Sequence, residues 1–264
     1  MIKPMLSIIS IIILIYIGIV FLVYLSQAKL LFFPDEIKSS RSVIENYSRN
    51  EITIRNNNID LHGWFLHPDK SKIIIYYGGN AEEVSLNLDD FQIFKDYGMV
   101  LINFRGYGKS QGKPGQDELF SDALFIFDYI HRKYNHQISE IILFGRSLGS
   151  GVATYVASQR IVNKLILVSP YDSITNIAKI HFPYLPVNMI LKHPFNSMEY
   201  AQSIKIPVLI LSAENDNIIP FENTKNLIKN FAGKVTSVII ENTDHNSIQI
   251  SNHYWSAIKS FLGM

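Results

Sequence analysis

A serine flanked by glycines is the strongest chemical signal in this sequence. Residues 145–149 read Gly-Arg-Ser-Leu-Gly, between an apolar run at 140–144 and a segment with helical periodicity at 148–159. A sharp turn between a strand and a helix lifts the serine hydroxyl above the edge of a sheet. Glycines two residues before and after it remove side chains that would clash there. The pattern predicts that Ser147 is a nucleophile, and the alternative is a tight turn without chemistry.

A serine hydroxyl needs a base to remove its proton. The sequence offers eight histidines. Of these, His245 lies in a loop after a late predicted strand and just before a predicted helix. The carboxyl end of that strand faces the same sheet edge as the serine turn. We therefore predict that His245 is the base, and the alternative is a residue that caps the following helix.

The base in turn needs a carboxylate that holds its tautomer and offsets the charge of the imidazolium. Asp216 follows a predicted strand, and Glu214 and Asp244 are rivals nearby. Asp244 is adjacent to the histidine in sequence, which makes a bond to its ring awkward. Glu214 would need a different path of the loop. On spacing alone, the three carboxylates remain candidates.

Two backbone N–H groups are candidates for an oxyanion hole, the pair of donors that stabilises the negative oxygen formed in acyl transfer. The first belongs to Leu148, at the start of the helix after the serine. The second belongs to Asn80, because residues 76–81 read Tyr-Tyr-Gly-Gly-Asn-Ala and end a predicted strand. The alternative for the double glycine is a flexible turn between a strand and a helix.

These residues need a sheet to position them, and the hydrophobic periodicity predicts one. Apolar and polar residues alternate at 51–55 and at 60–66, and three asparagines lie between the two segments, which predicts a hairpin. Further predicted strands cover 72–77, 99–104, 140–144, 164–168, 208–212 and 235–241. Predicted helices cover 81–97, 118–134, 148–159, 222–230 and 246–262. The alternation predicts an α/β fold with a mostly parallel central sheet and helices on both faces.

One segment, residues 171–203, interrupts this alternation. It is rich in proline and aromatic residues and follows the carboxyl end of a predicted strand. Loops at that edge of a parallel sheet commonly carry function. We predict that residues 171–203 form a short cap over a substrate pocket, and the alternative is an ordinary long connection.

The first 28 residues predict a membrane helix. No charge occurs between Lys3 and Lys29, and residues 5–25 are almost entirely apolar. About 20 helical residues span the roughly 30 Å of a bilayer's hydrocarbon core. We predict a single N-terminal transmembrane anchor over residues 1–28, and the alternative is a cleaved signal peptide. Positive charges slightly favour a cytoplasmic catalytic part, but the margin of one or two residues is too small to predict an orientation in the membrane.

The composition excludes several classes of function. The chain has 264 residues, a net charge of +1 and no cysteine. A nearly neutral chain is a poor nucleic-acid binder, because that partner requires a basic face. The lack of cysteine excludes disulfides, thiolate metal sites and a cysteine nucleophile. No metal-ligand motif stands out, and we predict neither a metal nor a cofactor.

The chain resembles the α/β-hydrolase superfamily from about residue 30 to its end. Residues 103–110, Asn-Phe-Arg-Gly-Tyr-Gly-Lys-Ser, resemble the family's turn after the fourth strand, and 145–151 resemble its nucleophile elbow. Residues 206–220 resemble the strand and loop that present the acid, which favours Asp216. Many relatives have His-Gly where this chain has Gly-Gly at 78–79, which puts the oxyanion geometry in doubt.

With its single anchor, the chain is most similar to the small-cap, N-terminally anchored serine hydrolases, which include depalmitoylase-like and lysophospholipase-like members. The resemblance implies an α/β-hydrolase domain over residues 29–264 and a catalytic triad of Ser147, Asp216 and His245. It implies hydrolysis of an ester or thioester of an apolar acyl group, carried by a lipid or a lipidated protein. The alternatives are a serine peptidase of the same fold and a non-catalytic, membrane-bound interaction module.

Overall fold

The computed structural model describes residues 2–134 and 137–264, so Met1, Asn135 and His136 lie outside the described residues. In this part of the chain, eight strands form one sheet in the order β1-β2-β4-β3-β5-β6-β7-β8. The strands are β1 Glu51–Asn56, β2 Ile59–Leu66, β3 Lys72–Tyr77, β4 Gly98–Ile102, β5 Glu140–Arg146, β6 Lys164–Val168, β7 Val208–Ala213 and β8 Val235–Ile240. The pairs β1/β2 and β2/β4 are antiparallel and the other pairs are parallel, which confirms the predicted mostly parallel sheet.

Helices cover the sheet on both faces. The α-helices of the described residues are α1 Ile2–Leu31, α2 Arg41–Asn46, α3 Gln116–Tyr134, α4 Leu148–Gln159, α5 Ile174–His181, α6 Val187–Ile190, α7 Ser197–Ala201, α8 Phe221–Ile228 and α9 Asn252–Leu262. One hydrophobic core lies between the sheet and α3, α4 and α8, and a second lies on the side of α9. Strand β3 contributes Ile75 to the first core and Ile74 to the second, because its side chains alternate between two covered faces.

The predicted helix over 81–97 is wrong. The segment instead contains two 3₁₀ turns, Val84–Asn87 and Asp90–Phe94. Ala81 has a φ of +55°, which a right-handed helix does not accommodate. Side chains also compete for the backbone donors, because the Val84 N–H donates to the Asn103 side chain at 3.0 Å.

The predicted closing helix over 246–262 is interrupted. Residues Ile248–Ile250 form a 3₁₀ turn, and α9 begins only at Asn252. Ser251 separates the two, and its hydroxyl accepts the N–H of His253 at 3.2 Å as an N-cap. By contrast, the bounds predicted for α4 and β6 agree with the structure.

The segment 171–203 contains α5, α6 and α7 joined by short connections. It lies over the carboxyl end of the sheet, next to the end of α1. The described part of α1 includes an apolar stretch, Ser7–Leu31, with a mean hydropathy of 3.0. None of the residues in its most apolar 18-residue window is buried in the described part of the protein. By length and composition, α1 can cross a membrane. The helix continues to Leu31, past the predicted boundary at residue 28.

Candidate active site

Ser147 lies on a sharp turn between β5 and α4. Its backbone has a φ of +49° and a ψ of −117°, a combination that costs a residue with a side chain about 1–3 kcal/mol. The turn is held by the Ser147 N–H, which donates to the Val168 carbonyl of β6 at 2.8 Å. A Cβ on Gly149 would lie 2.1 Å from the Tyr77 carbonyl, so only glycine lets α4 approach β3 this closely. This backbone explains the predicted glycine spacing.

The three residues predicted as a triad form one chain of hydrogen bonds. The Nε2 atom of His245 lies 2.9 Å from the Ser147 hydroxyl oxygen. The Nδ1 atom lies 2.7 Å from Oδ2 of Asp216. A carboxylate can only accept, so Nδ1 carries the proton and Nε2 is free to accept the serine proton. The side chains of His245 and Asp216 are 9% and 5% exposed, so their hydrogen bond is largely shielded from water.

Asp216 is held by its own loop as well as by the histidine. Its Oδ1 accepts the backbone N–H groups of Ile218 at 3.0 Å and Ile219 at 2.8 Å. Burial raises the pKa of Asp216, but the hydrogen bonds from His245 and from the Ile219 N–H outweigh it. The net pKa lies below the ordinary value, so the carboxyl stays ionised at neutral pH.

The rival carboxylates have other partners. Glu214 accepts the backbone N–H of Asn242 at 2.8 Å. Asp244 accepts the N–H groups of Asn246 and Ser247, both at 2.9 Å, and forms an exposed turn. Because Asp216 occupies Nδ1 of the histidine ring, the geometry favours it over both rivals.

The two predicted oxyanion donors line the same cavity as Ser147. This cavity has a volume of about 370 Å³, and Asn80, Leu148 and His245 are among its walls. Within the described residues, the backbone N–H groups of Asn80 and Leu148 donate to no protein acceptor. Both groups are therefore available to a ligand. Their role as an oxyanion hole stays a prediction.

An ion pair that the sequence analysis missed joins the two sides of this cavity. Arg146, next to the serine, donates from Nη1 to Oε2 of Glu82 at 2.7 Å. The same oxygen accepts the N–H of Gly79 at 2.8 Å, next to the predicted donor Asn80. Arg146 also donates from Nη2 to the His245 carbonyl at 3.3 Å. One guanidinium thus connects the serine turn, the predicted oxyanion loop and the histidine loop.

Both partners of this pair remain charged. Burial raises the pKa of Glu82, but the charge of Arg146 and the hydrogen bond from the Tyr76 hydroxyl outweigh it, so the net pKa is lowered. Burial lowers the pKa of Arg146, and the charge of Glu82 more than compensates. The two side chains are 6% and 14% exposed. No spacing rule in the sequence connects residue 82 with residue 146, and only the folded chain brings them together.

The side chain of Asn80 has a second unpredicted role. Its amide Nδ2 donates to the carbonyl of Leu31, the last residue of α1. Its Oδ1 accepts the Phe33 N–H at 3.1 Å and the Tyr107 hydroxyl at 2.9 Å. The backbone of the predicted oxyanion loop is therefore tied to the end of α1.

Comparisons with known proteins agree with this architecture. A family model described as serine aminopeptidase, S33, matches residues 93–195. An uncharacterized protein of Mycobacterium tuberculosis is 26% identical over 253 residues, which cover 93% of this chain and 89% of that protein. The lysophosphatidylserine lipase ABHD12 of Danio rerio is 33% identical over 179 residues, which cover 59% of this chain and 46% of the relative.

Solved structures with the same fold include an esterase of Pyrococcus furiosus. It superposes with a TM-score of 0.71 at 19% identity, covering 88% of this chain and 97% of the esterase. This similarity confirms the predicted fold class. The sheet order, the strand-turn-helix around the serine and these relatives lead to one conclusion: the chain belongs to the α/β-hydrolase superfamily.

Proposed function

We propose that this protein is a membrane-anchored serine hydrolase that cleaves an ester or thioester of an apolar acyl group. One observation carries the proposal: the hydrogen-bonded chain of Ser147, His245 and Asp216 ends at a cavity with mostly apolar walls. A serine, a histidine and an aspartate that are hydrogen-bonded in this order activate the serine hydroxyl as a nucleophile.

The proposed reaction is a two-step acyl transfer. Nε2 of His245 takes the proton of Ser147 as its oxygen attacks the substrate carbonyl, and the N–H groups of Leu148 and Asn80 stabilise the oxyanion. The imidazolium, supported by Asp216, then protonates the departing alkoxide or thiolate. Water attacks the acyl-serine with His245 again as the base, which releases the acid and restores the serine.

The walls of the cavity support an apolar acyl group. Its apolar lining residues are Leu31, Phe33, Ala81, Leu148, Tyr171, Ile174, Ile177, Ile218 and Ile219. Arg146, the one Lys or Arg among the described lining residues, is already paired with Glu82. An apolar chain therefore meets no unpaired charge in these walls. The name of the relative from Danio rerio, a lysophosphatidylserine lipase, supports a lipid ester as the substrate class.

The membrane anchor is part of the proposal. Residues 1–28 are the proposed anchor, residues 29–264 the hydrolase domain and residues 171–203 its cap. The apolar, exposed surface of α1 supports this division, because within the described residues none of its most apolar 18-residue window is buried. Resistance of the full-length protein to carbonate extraction, together with an intact N-terminus, is the expected result. Release of a chain shortened near residue 28 would instead identify a signal peptide.

A fluorophosphonate probe tests the chemistry. We expect the probe to label the purified protein and Ser147→Ala to abolish labelling, because the probe reacts with activated serines. A folded wild-type protein that is not labelled would contradict the proposed mechanism. The second candidate, a peptidase, is favoured by the description of the matching family model. Rates on p-nitrophenyl esters and aminoacyl anilides separate the two, and we expect the esters to be the better substrates.

A further inference from the structure

The cap reaches far back along the membrane helix. The hydroxyl of Tyr16 donates to the carbonyl of Tyr184, at the tip of the cap, at 2.9 Å. Tyr16 precedes Leu31 by 15 residues, which is about 22 Å along a helix. If the cap tip stayed in water, fewer than 16 residues of α1 would remain beyond it. That length is too short for a hydrocarbon core of roughly 30 Å. A membrane-spanning α1 therefore carries the cap tip below the headgroups.

The surface of the cap suits that position. Several of its exposed large side chains are apolar or aromatic, with Phe182 51%, Tyr184 88% and Met189 86% exposed, and Lys179, His181 and Lys192 are exposed as well. Residues 173–198 contain no Asp or Glu. Lys192, at the base of the cap, lies with its Nζ 3.9 Å from the ring centre of Tyr24. Apolar side chains with cations at their edge are the composition of a surface that enters a leaflet.

A cleft of about 100 Å³ lies between α1 and the cap. Its walls are mostly apolar and include Val23, Leu30 and Leu31 of α1 and Ile174, Ala178 and Phe182 of the cap. Two wall residues are polar. Gln27 donates to the Ile190 carbonyl at 2.7 Å and accepts the Lys192 N–H at 2.8 Å, and Nδ1 of His193 accepts the Gln116 N–H at 3.3 Å. The cleft therefore offers an occupant little but hydrocarbon contacts.

This cleft and the catalytic cavity share two walls. Leu31 of α1 and Ile174 of α5 line both of them. The apolar surface thus continues from the helix that spans the membrane to the pocket around Ser147. A soluble ester needs no such continuity, whereas the acyl chain of a bilayer lipid can follow it without crossing water.

We infer that the cap tip is embedded in the leaflet next to α1, and that the acyl chain of a membrane lipid enters the catalytic cavity through the cleft between α1 and the cap. The inference rests on the proposed function and narrows it, because the substrate becomes a bilayer lipid with at least one acyl chain. The acyl chain of the lipid lies in the cleft, and its carbonyl carbon reaches the Ser147 oxygen.

Tryptophan depth measurement tests the position of the cap. Met189→Trp and the control Ile161→Trp introduce tryptophan at side chains that are 86% and 95% exposed. Of the two native tryptophans, Trp64 is fully buried and Trp255 is partly buried, so the wild type gives the background signal. The full-length variants are placed in phosphatidylcholine vesicles with bromine atoms midway along the acyl chains. We expect strong quenching for Met189→Trp beyond that of the wild type, and none for Ile161→Trp. Equal quenching of the two variants would overturn the embedded cap.

A steric block tests the route. Ala178→Phe fills the cleft, and Ala157→Phe, in a surface groove beside 203–206, is the control. The readout is the rate on p-nitrophenyl palmitate held in vesicles divided by the rate on p-nitrophenyl acetate. We expect this ratio to fall at least about tenfold for Ala178→Phe and to stay at the wild-type value for Ala157→Phe. An unchanged ratio for Ala178→Phe refutes the route.

Failure of the lipid route through the cleft is distinguishable from failure of the proposed function. A wild-type protein that hydrolyses neither ester refutes the proposed function itself. A wild type that hydrolyses the acetate but does not float with vesicles refutes the membrane anchor. If the acetate is hydrolysed and the protein floats, the bromine quenching and the rate ratio decide the cleft alone.

Discussion

Removing the charge of Glu82 tests whether the buried ion pair holds the active site together. Glu82→Gln keeps the size of the side chain but leaves the Arg146 guanidinium, 14% exposed, without its counter-ion. Removing one partner of a buried pair costs about 3–5 kcal/mol in stability. The glutamine also places an NH₂ group where one carboxylate oxygen accepted either Asn87 or Gly79, which leaves two donors facing each other. We therefore expect the free energy of unfolding of Glu82→Gln to be about 3–5 kcal/mol below that of the wild type.

The catalytic effect follows from the loop that Glu82 holds. Its Oε2 accepts the Gly79 N–H at 2.8 Å and so fixes the backbone that presents the next N–H, of Asn80. Complete loss of one oxyanion donor costs about 10²–10³ in kcat. Because Glu82→Gln displaces the donor rather than deleting it, we expect kcat to fall by about 10 to 10² and KM to change much less.

Two measurements and two further variants make the test decisive. Denaturant unfolding gives the stability, and p-nitrophenyl acetate gives kcat. Glu45→Gln is the control, since Glu45 pairs with Arg41 on an exposed helix and its loss costs at most about 0.5 kcal/mol. The double variant Glu82→Gln with Arg146→Met removes both charges and should recover most of the stability but not the rate. A Glu82→Gln protein within about 1 kcal/mol of wild type and with unchanged kcat would refute the reasoning.

Three further predictions concern the other site residues. Asp216→Asn should reduce kcat by about 10⁴ with the fold intact. Because the folded-state pKa of Asp216 is lowered from its ordinary 3.8, its contribution to stability is present above pH 3.8 and is lost as pH falls through the folded pKa. The stability difference between wild type and Asp216→Asn should therefore shrink in acid unfolding titrations below pH 3.8. Ser147→Gly should be more stable in urea than Ser147→Ala by about 1 kcal/mol, since glycine adopts the φ of +49° with less strain. Asn80→Ala removes the side-chain bonds to Leu31, Phe33 and Tyr107 and should reduce kcat on p-nitrophenyl acetate at least about tenfold, while Tyr107→Phe, which removes one hydroxyl, should cost less.

Each of these has a contrary result. Full activity of Asp216→Asn would return the role of the acid to Glu214 or Asp244. Equal stability of the two Ser147 variants would mean that the turn holds no backbone strain at this position. A Tyr107→Phe variant slower than Asn80→Ala would show that the tyrosine, rather than the asparagine, supports the loop.

The sequence predicted the elements that follow from local chemistry. The continuous apolar run at 72–77 became β3, because a strand covered on both faces needs apolar side chains on both. The helix after the serine was predicted with its observed bounds, Leu148–Gln159, because a strand-turn-helix has local turn chemistry. Where long-range partners intervened, the periodicity misled. Residues 81–97 have helical spacing, but the contacts of Glu82 and Asn103 with nearby backbone groups favour 3₁₀ turns.

The candidate site divides along the same line. Ser147 and His245 were identified from motif and position, because parallel strands bring their carboxyl ends to one edge. The choice among three carboxylates depended on a resemblance. In the structure, the 2.7 Å contact of Asp216 with Nδ1 of the histidine separates it from its rivals. Their use of other hydrogen-bond partners is visible only in the folded chain.

By itself, the sequence determined the eight strands in their chain order, the serine turn and a helix apolar enough for a membrane, since each depends on residues near one another in the chain. The tertiary structure alone decided which distant groups meet. It paired Arg146 with Glu82, tied Asn80 to the end of α1 and brought the cap tip to Tyr16. Such contacts depend on how the sheet brings separate loops to one edge, and no local pattern of residue types encodes that distance.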